Sequence, residues 1–246
     1  GATQGGSAKG LSHDLPTRAP YFLVQRLTFY VLTFLGFATF LAAQEPERSA
    51  EELASALQDK YKTVHDFSAN FIHIYEGGAL SIQATESGVV LIKKPGMMHW
   101  HYQEPDEKFF ISDGKTLISY VPADNQVRIS SMPAESTSEP SVLFLIGRGD
   151  LSRDFVPSFT VLDDAPVGTQ SLRLTPHHPE TSYESLILVV DEVTLTIRQL
   201  ISKDLQGGTS TFKFTDLKEN IGIPDQMFSF TIPPEAHIIT GNNASK

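Results

Sequence analysis

The sequence predicts a mainly β protein with short helices, in which a single curved antiparallel sheet wraps around its own apolar face. Three observations carry that prediction. From Asp66 onward, short alternating runs recur between Gly, Pro, Asn and Asp turn residues, the pattern of antiparallel strands rather than of strand–helix–strand units. Across residues 97–103 the alternation places Met98, Trp100 and Tyr102 on one face of a strand and Met97, His99 and His101 on the other, and the first set holds the only Trp in the chain. Asp113-Gly114 ahead of a second alternating run signals a tight hairpin, because Gly takes a positive φ at no steric cost.

Composition narrows the classes. The 246 residues suit one or two domains, and the strand count favours one. Net charge is −10, and setting aside the first 43 residues, which hold Lys9, Arg18, Arg26 and Asp14, leaves 16 basic and 28 acidic residues. Such an acidic domain is a poor partner for nucleic acid or an anionic membrane surface. The chain has no Cys, which excludes disulfides, thiolate metal sites, a Cys nucleophile and a lipidated Cys.

In chain order, residues 1–20 are rich in Gly, Ser, Thr and Pro and read as a disordered leader. Arg26 then precedes the nearly all-apolar run LTFYVLTFLGFATFLAA at 27–43, a basic flank and apolar core ending in small residues, as in a secretory signal. Cleavage is expected after Ala43, with an uncleaved anchor as the alternative, since the run is at the lower limit for spanning a bilayer. Either way the basic residues before it and Glu45, Glu47, Glu51 and Glu52 after it orient the following domain for export. Expected domain boundaries are therefore 1–43 for leader and signal, 44–240 for the folded domain and 241–246 for a tail.

Ser49-Ala50-Glu51-Glu52 is a capping box, and Leu53, Leu57, Tyr61 and Val64 follow at helical spacing, so an amphipathic helix should lie on the sheet. Strands are expected at 66–75, 81–93, 97–103, 107–112, 116–121, 126–132, 158–163, 170–176, 184–190, 195–204, 209–217 and 227–232. The pattern breaks once. Residues 133–140 form a Ser/Glu/Pro loop, and Ser141-Val142-Leu143-Phe144-Leu145-Ile146-Gly147 is apolar around its whole circumference. As a short helix, capped by Ser141 and ended by Gly147, it must be buried on more than one side; a strand is the competing assignment.

Several stretches resemble one family when taken together in order and spacing. They are Lys93-Lys94-Pro95-Gly96-Met97-Met98-His99-Trp100, Glu104-Pro105-Asp106-Glu107, Ser112-Asp113-Gly114-Lys115-Thr116-Leu117, Tyr120-Val121-Pro122, Leu174-Thr175-Pro176, and Phe228-Ser229-Phe230-Thr231-Ile232-Pro233-Pro234. The family is that of the periplasmic lipoprotein carriers called LolA, and the resemblance covers roughly residues 50 to 240. It implies a half-barrel closed by the N-terminal helix and by an apolar lid helix, here Leu143, Phe144, Leu145 and Ile146, over an acyl-binding cavity to which Met98, Trp100 and Tyr102 contribute. It implies that Lys94 stands where the family has an Arg that hydrogen-bonds the lid shut. Lys keeps the charge and loses the planar five-donor fork. A solvated Lys at a strand end is the plain alternative. Met98 replaces a family aromatic.

The function implied is a monomeric periplasmic chaperone in outer-membrane biogenesis. It would bind acyl chains of lipoproteins, take them from an inner-membrane lipoprotein-release ABC transporter, and give them to an outer-membrane acceptor lipoprotein. No cofactor, metal or nucleic acid is needed, and no enzyme chemistry. Two alternatives keep the fold: a membrane-anchored sensor or scaffold module, and a carrier of another membrane lipid. His99 and His101 share a strand face and could hold a metal with Glu104 or Asp106 only if a third ligand came from the turn. The chain has no Gly-x-Ser-x-Gly elbow, P-loop or dinucleotide fingerprint.

Overall fold

A computed structural model of the chain describes residues 48–77, 83–132, 144–147, 149–179 and 183–240. The expected leader and signal, Leu143 and the tail lie outside these residues. No helix among the described residues is long and apolar enough to cross a membrane.

Helix α1 (Ala50–Thr63) opens the described domain. Its capping box forms as expected: Ser49 Oγ accepts from the Glu52 N–H at 3.2 Å, and the Glu52 carboxylate accepts from the Ser49 N–H at 2.8 Å. Ala50, Leu53, Ala54, Leu57 and Tyr61 make one buried stripe, while Glu51 and Glu52 in the first turn and Lys60 and Lys62 in the last complement the helix dipole. Replacing Ser49 by Ala is expected to lower unfolding free energy by about 1 kcal/mol. A urea titration reads this as a lower midpoint at unchanged slope; an unmoved midpoint would mean that the stripe alone sets the helix start.

Twelve strands among the described residues form one curved, unclosed sheet. They are β1 (Asp66–Glu76), β2 (Gln83–Lys93), β3 (Met97–Glu104), β4 (Lys108–Asp113), β5 (Thr116–Val121), β6 (Gln126–Ser131), β7 (Phe155–Thr160), β8 (Thr169–Pro176), β9 (Ser185–Asp191), β10 (Ile197–Lys203), β11 (Thr209–Glu219) and β12 (His237–Thr240). The order is β12-β6-β5-β4-β3-β2-β1-β11-β10-β9-β8-β7. A one-turn helix, α2 (Leu151–Asp154), leads into β7. The predicted hairpin joins β4 to β5: Gly114 has φ +92°, and Asp113 Oδ1 accepts from the N–H groups of Lys115 and Thr116 at 2.9 and 2.7 Å. Those two bonds hold the Asp113 carboxyl below its ordinary pKa.

Along β3, Met98, Trp100 and Tyr102 face inward as the alternation predicts, and they join a core with Phe67 and Phe71 of β1, Phe212 and Phe214 of β11, Leu172 of β8, Leu188 of β9 and Leu200 of β10. Helix α1 lies on this inner face.

Two expectations are corrected. The sheet is not antiparallel throughout, since β12 pairs with β6 in parallel. And residues 227–232 are not a strand: Asp225–Phe228 form a 3₁₀ turn, and the next paired residues are those of β12. Both have one cause. After β11 the chain crosses the outer face of β2 to β5, fixed by Lys93 Nζ to the Ile223 carbonyl (2.8 Å) and by Phe230 against Phe109 and Tyr120 (6.4 and 5.3 Å between ring centroids). Phe228 and Phe230 alternate because an extended segment packs with one side, without a ladder. Asp66 anchors the start of the crossing: its carboxylate accepts from the N–H groups of Ile221, Gly222 and Ile223. Strand β7 also starts earlier than expected, at Phe155 rather than 158.

Candidate functional site

At one end of the inner face, α1, the start of β3 and the described part of the expected lid meet around Tyr61. Phe144, Leu145 and Ile146 are buried, Ile146 completely, as an all-round apolar segment requires. Phe144 and Leu145 are helical. Gly147 follows with φ +78°, the left-handed conformation that ends a helix at little cost for Gly, and its N–H donates to the Phe144 carbonyl at 2.9 Å.

Tyr61 holds this segment twice. Its hydroxyl donates to the Leu145 carbonyl at 2.5 Å, and its ring stacks on Phe144 with centroids 4.6 Å apart and planes 22° from parallel. Burial pushes the phenol pKa well up, so the hydroxyl remains a donor at physiological pH. The Gly96 N–H adds a bond to the Ile146 carbonyl at 3.1 Å, and Gln58 of α1 accepts from the Leu151 N–H at 2.9 Å just beyond the segment.

Lys94 is half-buried, and the solvated-surface alternative does not describe it. Its ammonium donates to the Tyr61 carbonyl and lies 4.2 Å from the centre of the Tyr61 ring, a cation–π contact. Burial lowers its pKa. Among the described residues its polar contact with the lid segment is indirect, through Tyr61; its direct contact is apolar, because a Cβ on Gly147 would stand 2.4 Å from Lys94 Cδ. A Lys can therefore occupy this place without a guanidinium fork, through one hydrogen bond, one ring contact and its apolar stem.

Below this contact lies an aromatic floor. Phe71 meets Trp100 and Tyr102 edge-on at 5.1 and 4.8 Å, and Trp100 meets Phe212 at 5.2 Å. Beside the lid segment, between the end of α1 and the inner face of β1, β10 and β11, is a small cleft of about 20 Å³, lined by Tyr61, Leu145, Phe67, Ile197, Phe214 and Leu217. A Lys60–Glu219 ion pair at 2.9 Å closes its rim. Over β4 to β6 the inner face opens into a second groove of about 400 Å³, to which Phe110 and Leu117 contribute.

The structure thus brings together Lys94, Met98, Trp100, Tyr102, Phe144, Leu145 and Ile146. Sequence reasoning treated Tyr61 as one more apolar stripe residue and so missed the centre of the arrangement. The available signal was chemical: a hydroxyl on the buried side of an amphipathic helix needs a hydrogen-bond partner.

His99 and His101 lie on the outer face, each in a local bond. His99 Nδ1 pairs with the Met227 carbonyl at 2.8 Å, and His101 Nε2 pairs with Glu107, not Glu104 or Asp106, at 2.9 Å. Among the described residues no group of three His, Cys, Asp or Glu is placed to hold a metal. Burial pushes the His99 pKa down, and its Nε2 is buried without a partner. The folded state therefore binds fewer protons at His99 than the unfolded chain. This contribution to stability is complete above the ordinary His value of about 6.5 and is lost as pH falls through the depressed folded value. Melting temperature is expected to fall between pH 7.5 and 5, with a shallower fall in His99→Gln; equal slopes would show that His99 plays no part.

The match to known proteins is extensive. The family model described as outer membrane lipoprotein carrier protein LolA matches residues 62–231. An outer-membrane lipoprotein carrier protein of Pseudomonas putida is 28% identical over 217 residues, covering 88% of this chain and 98% of that one. Another, of Chromohalobacter salexigens, is 30% identical over 200 residues, covering 81% and 90%. Among solved structures, a LolA superfamily protein of Nitrosomonas europaea aligns with a TM-score of 0.42 at 15% identity, covering 74% of this chain and 98% of that one.

Proposed function

The chain belongs to the LolA family of outer membrane lipoprotein carrier proteins, and from that premise we propose that it carries lipoproteins across the periplasm with their acyl chains held on the inner face of the sheet. The observation that carries the reading is the apolar segment of Phe144, Leu145 and Ile146, shut over an aromatic floor by Tyr61 and Lys94. Each buried acyl methylene is worth about 0.8 kcal/mol, so acyl chains cannot cross water unshielded. In the closed state the lid side chains fill the space the acyl chains need. Loading exchanges one apolar set for another, which keeps binding reversible without a covalent step.

In this reading the exported domain is 44–240. Met98, Trp100 and Tyr102 line the floor, residues 143–146 form the lid, and Lys94 with Tyr61 is its latch. An inner-membrane release transporter loads the carrier, and an outer-membrane acceptor lipoprotein unloads it.

The test is native mass spectrometry of the exported form, purified from its own periplasm with membranes removed. One-to-one adducts with lipoprotein are expected. A clean unliganded mass with no lipid uptake would contradict carriage and favour a membrane-anchored sensor.

A further inference from the structure

The inner face of β3 to β6 changes character in one step per strand. In the ladders Trp100 is opposite Phe110, Phe110 opposite Ser119, and Ser119 opposite Arg128, so these four share the inner face as one row. The row begins at a buried indole and ends at an exposed guanidinium. Beside it runs a second row, Met98, Ser112, Leu117 and Ser130. Phe110, Leu117, Ser119, Arg128 and Ser130 line the open groove over this part of the sheet.

Among the described residues Arg128 has no acid partner, a lack it shares with Lys115, Arg173 and Lys218, but of these four it alone lines the groove over this part of the sheet. Lys60, Lys93, Lys108, Arg198 and Lys213 each sit on a carboxylate, whereas Arg128 makes no ion pair or hydrogen bond with any described residue, in a chain of net charge −10. The hydroxyls of Ser119 and Ser130 are likewise free of described partners. A guanidinium without a described partner, between two hydroxyls likewise without described partners and at the polar end of an apolar trough, presents converging donors to an anion, and its fork matches phosphate oxygens. From Trp100 to Arg128 is three interstrand spacings, about 14 Å, close to the roughly 15 Å that one leaflet of acyl chains spans.

We propose that Arg128, with Ser119 and Ser130, binds the phosphate of an anionic single-chain phospholipid whose acyl chain lies along the row toward Trp100. This rests on the acyl-binding reading above and adds head-group selectivity to it.

Trp100, the only Trp in the chain, reports the chain end of the site. The experiment titrates the full chain with lysophosphatidylglycerol carrying a brominated acyl chain, and with the monoacylglycerol of the same chain, following quenching of Trp100. Wild type is expected to bind the anionic lipid about tenfold more tightly than the neutral one. Arg128→Gln should erase that preference while shifting monoacylglycerol affinity by no more than about twofold, and Arg128→Lys should keep only part of it. A preference that survives Arg128→Gln, or a wild type that binds both lipids equally, overturns the head-group site and leaves acyl binding standing. A wild type whose Trp100 is quenched by neither lipid overturns acyl binding, and the head-group site with it.

Discussion

Replacing Leu145 by Asp is expected to abolish acyl binding, by about a hundredfold or more, while leaving the sheet folded. Leu145 is only 3% exposed, lines the cleft under α1 and presents its carbonyl to Tyr61. The nearby cations are already engaged, Lys60 with Glu219 and Lys94 with Tyr61, so a carboxylate there must be exposed to water, which swings the lid segment off the floor. An open lid cannot cover an acyl chain, so the loss appears in binding rather than only in release. Fluorescence of a lipid probe reads the affinity, and circular dichroism reads the sheet. Leu145→Met, which nearly conserves volume, should bind like the wild type. If Leu145→Asp binds lipid normally with an intact sheet, the lid has no role in shielding cargo.

Lys94→Leu is expected to act in the opposite direction and to hold cargo about tenfold longer. The bond from Lys94 to the Tyr61 carbonyl and the contact with its ring belong to the closed state. If the closed lid competes with cargo for the inner face, weakening that state raises the fraction of molecules competent to bind and so tightens apparent affinity. Losing one charge-assisted hydrogen bond and a partly buried cation–π contact accounts for about a factor of ten. Loaded carrier should therefore accumulate in the periplasm, and transfer to acceptor vesicles should slow. Tyr61→Phe, which removes only the bond to Leu145, should shift in the same direction by less. Normal turnover in Lys94→Leu would mean that the contact is packing alone. The two substitutions both disturb the closed lid, yet one loses cargo and the other retains it, because only Leu145→Asp also destroys the cover.

The fold was legible where burial is one-sided and local. The alternation around Trp100, the capping box at Ser49 and the Asp113-Gly114 turn each specify their element through nearest-neighbour chemistry, and all three stand as the sequence implies. What the sequence concealed was partnership over long separations. The alternation of Phe228 and Phe230 looked like a strand because one-sided packing and strand pairing leave the same trace, and only the register shows that this segment crosses the outer face. The lid residues were legible as a run apolar on every side, and Lys94 only through the family resemblance, which sets an Arg at its place. Tyr61 was not, since its role depends on a carbonyl 84 residues away. Nothing in the local sequence marks Arg128, which only the strand ladders place in line with Trp100.

The claim most in need of a direct measurement is that acyl chains lie on the inner face of the sheet, and neighbouring residues of β4 provide the control. Phe110 faces inward beside Tyr102, and Phe109 faces outward against Tyr120 and Phe230. A photoreactive benzoylphenylalanine would be installed in place of each in turn, and intact cells irradiated. The proposed function requires acylated lipoprotein adducts from position 110 and none from position 109; adducts of equal yield from both, or from 109 alone, would contradict it.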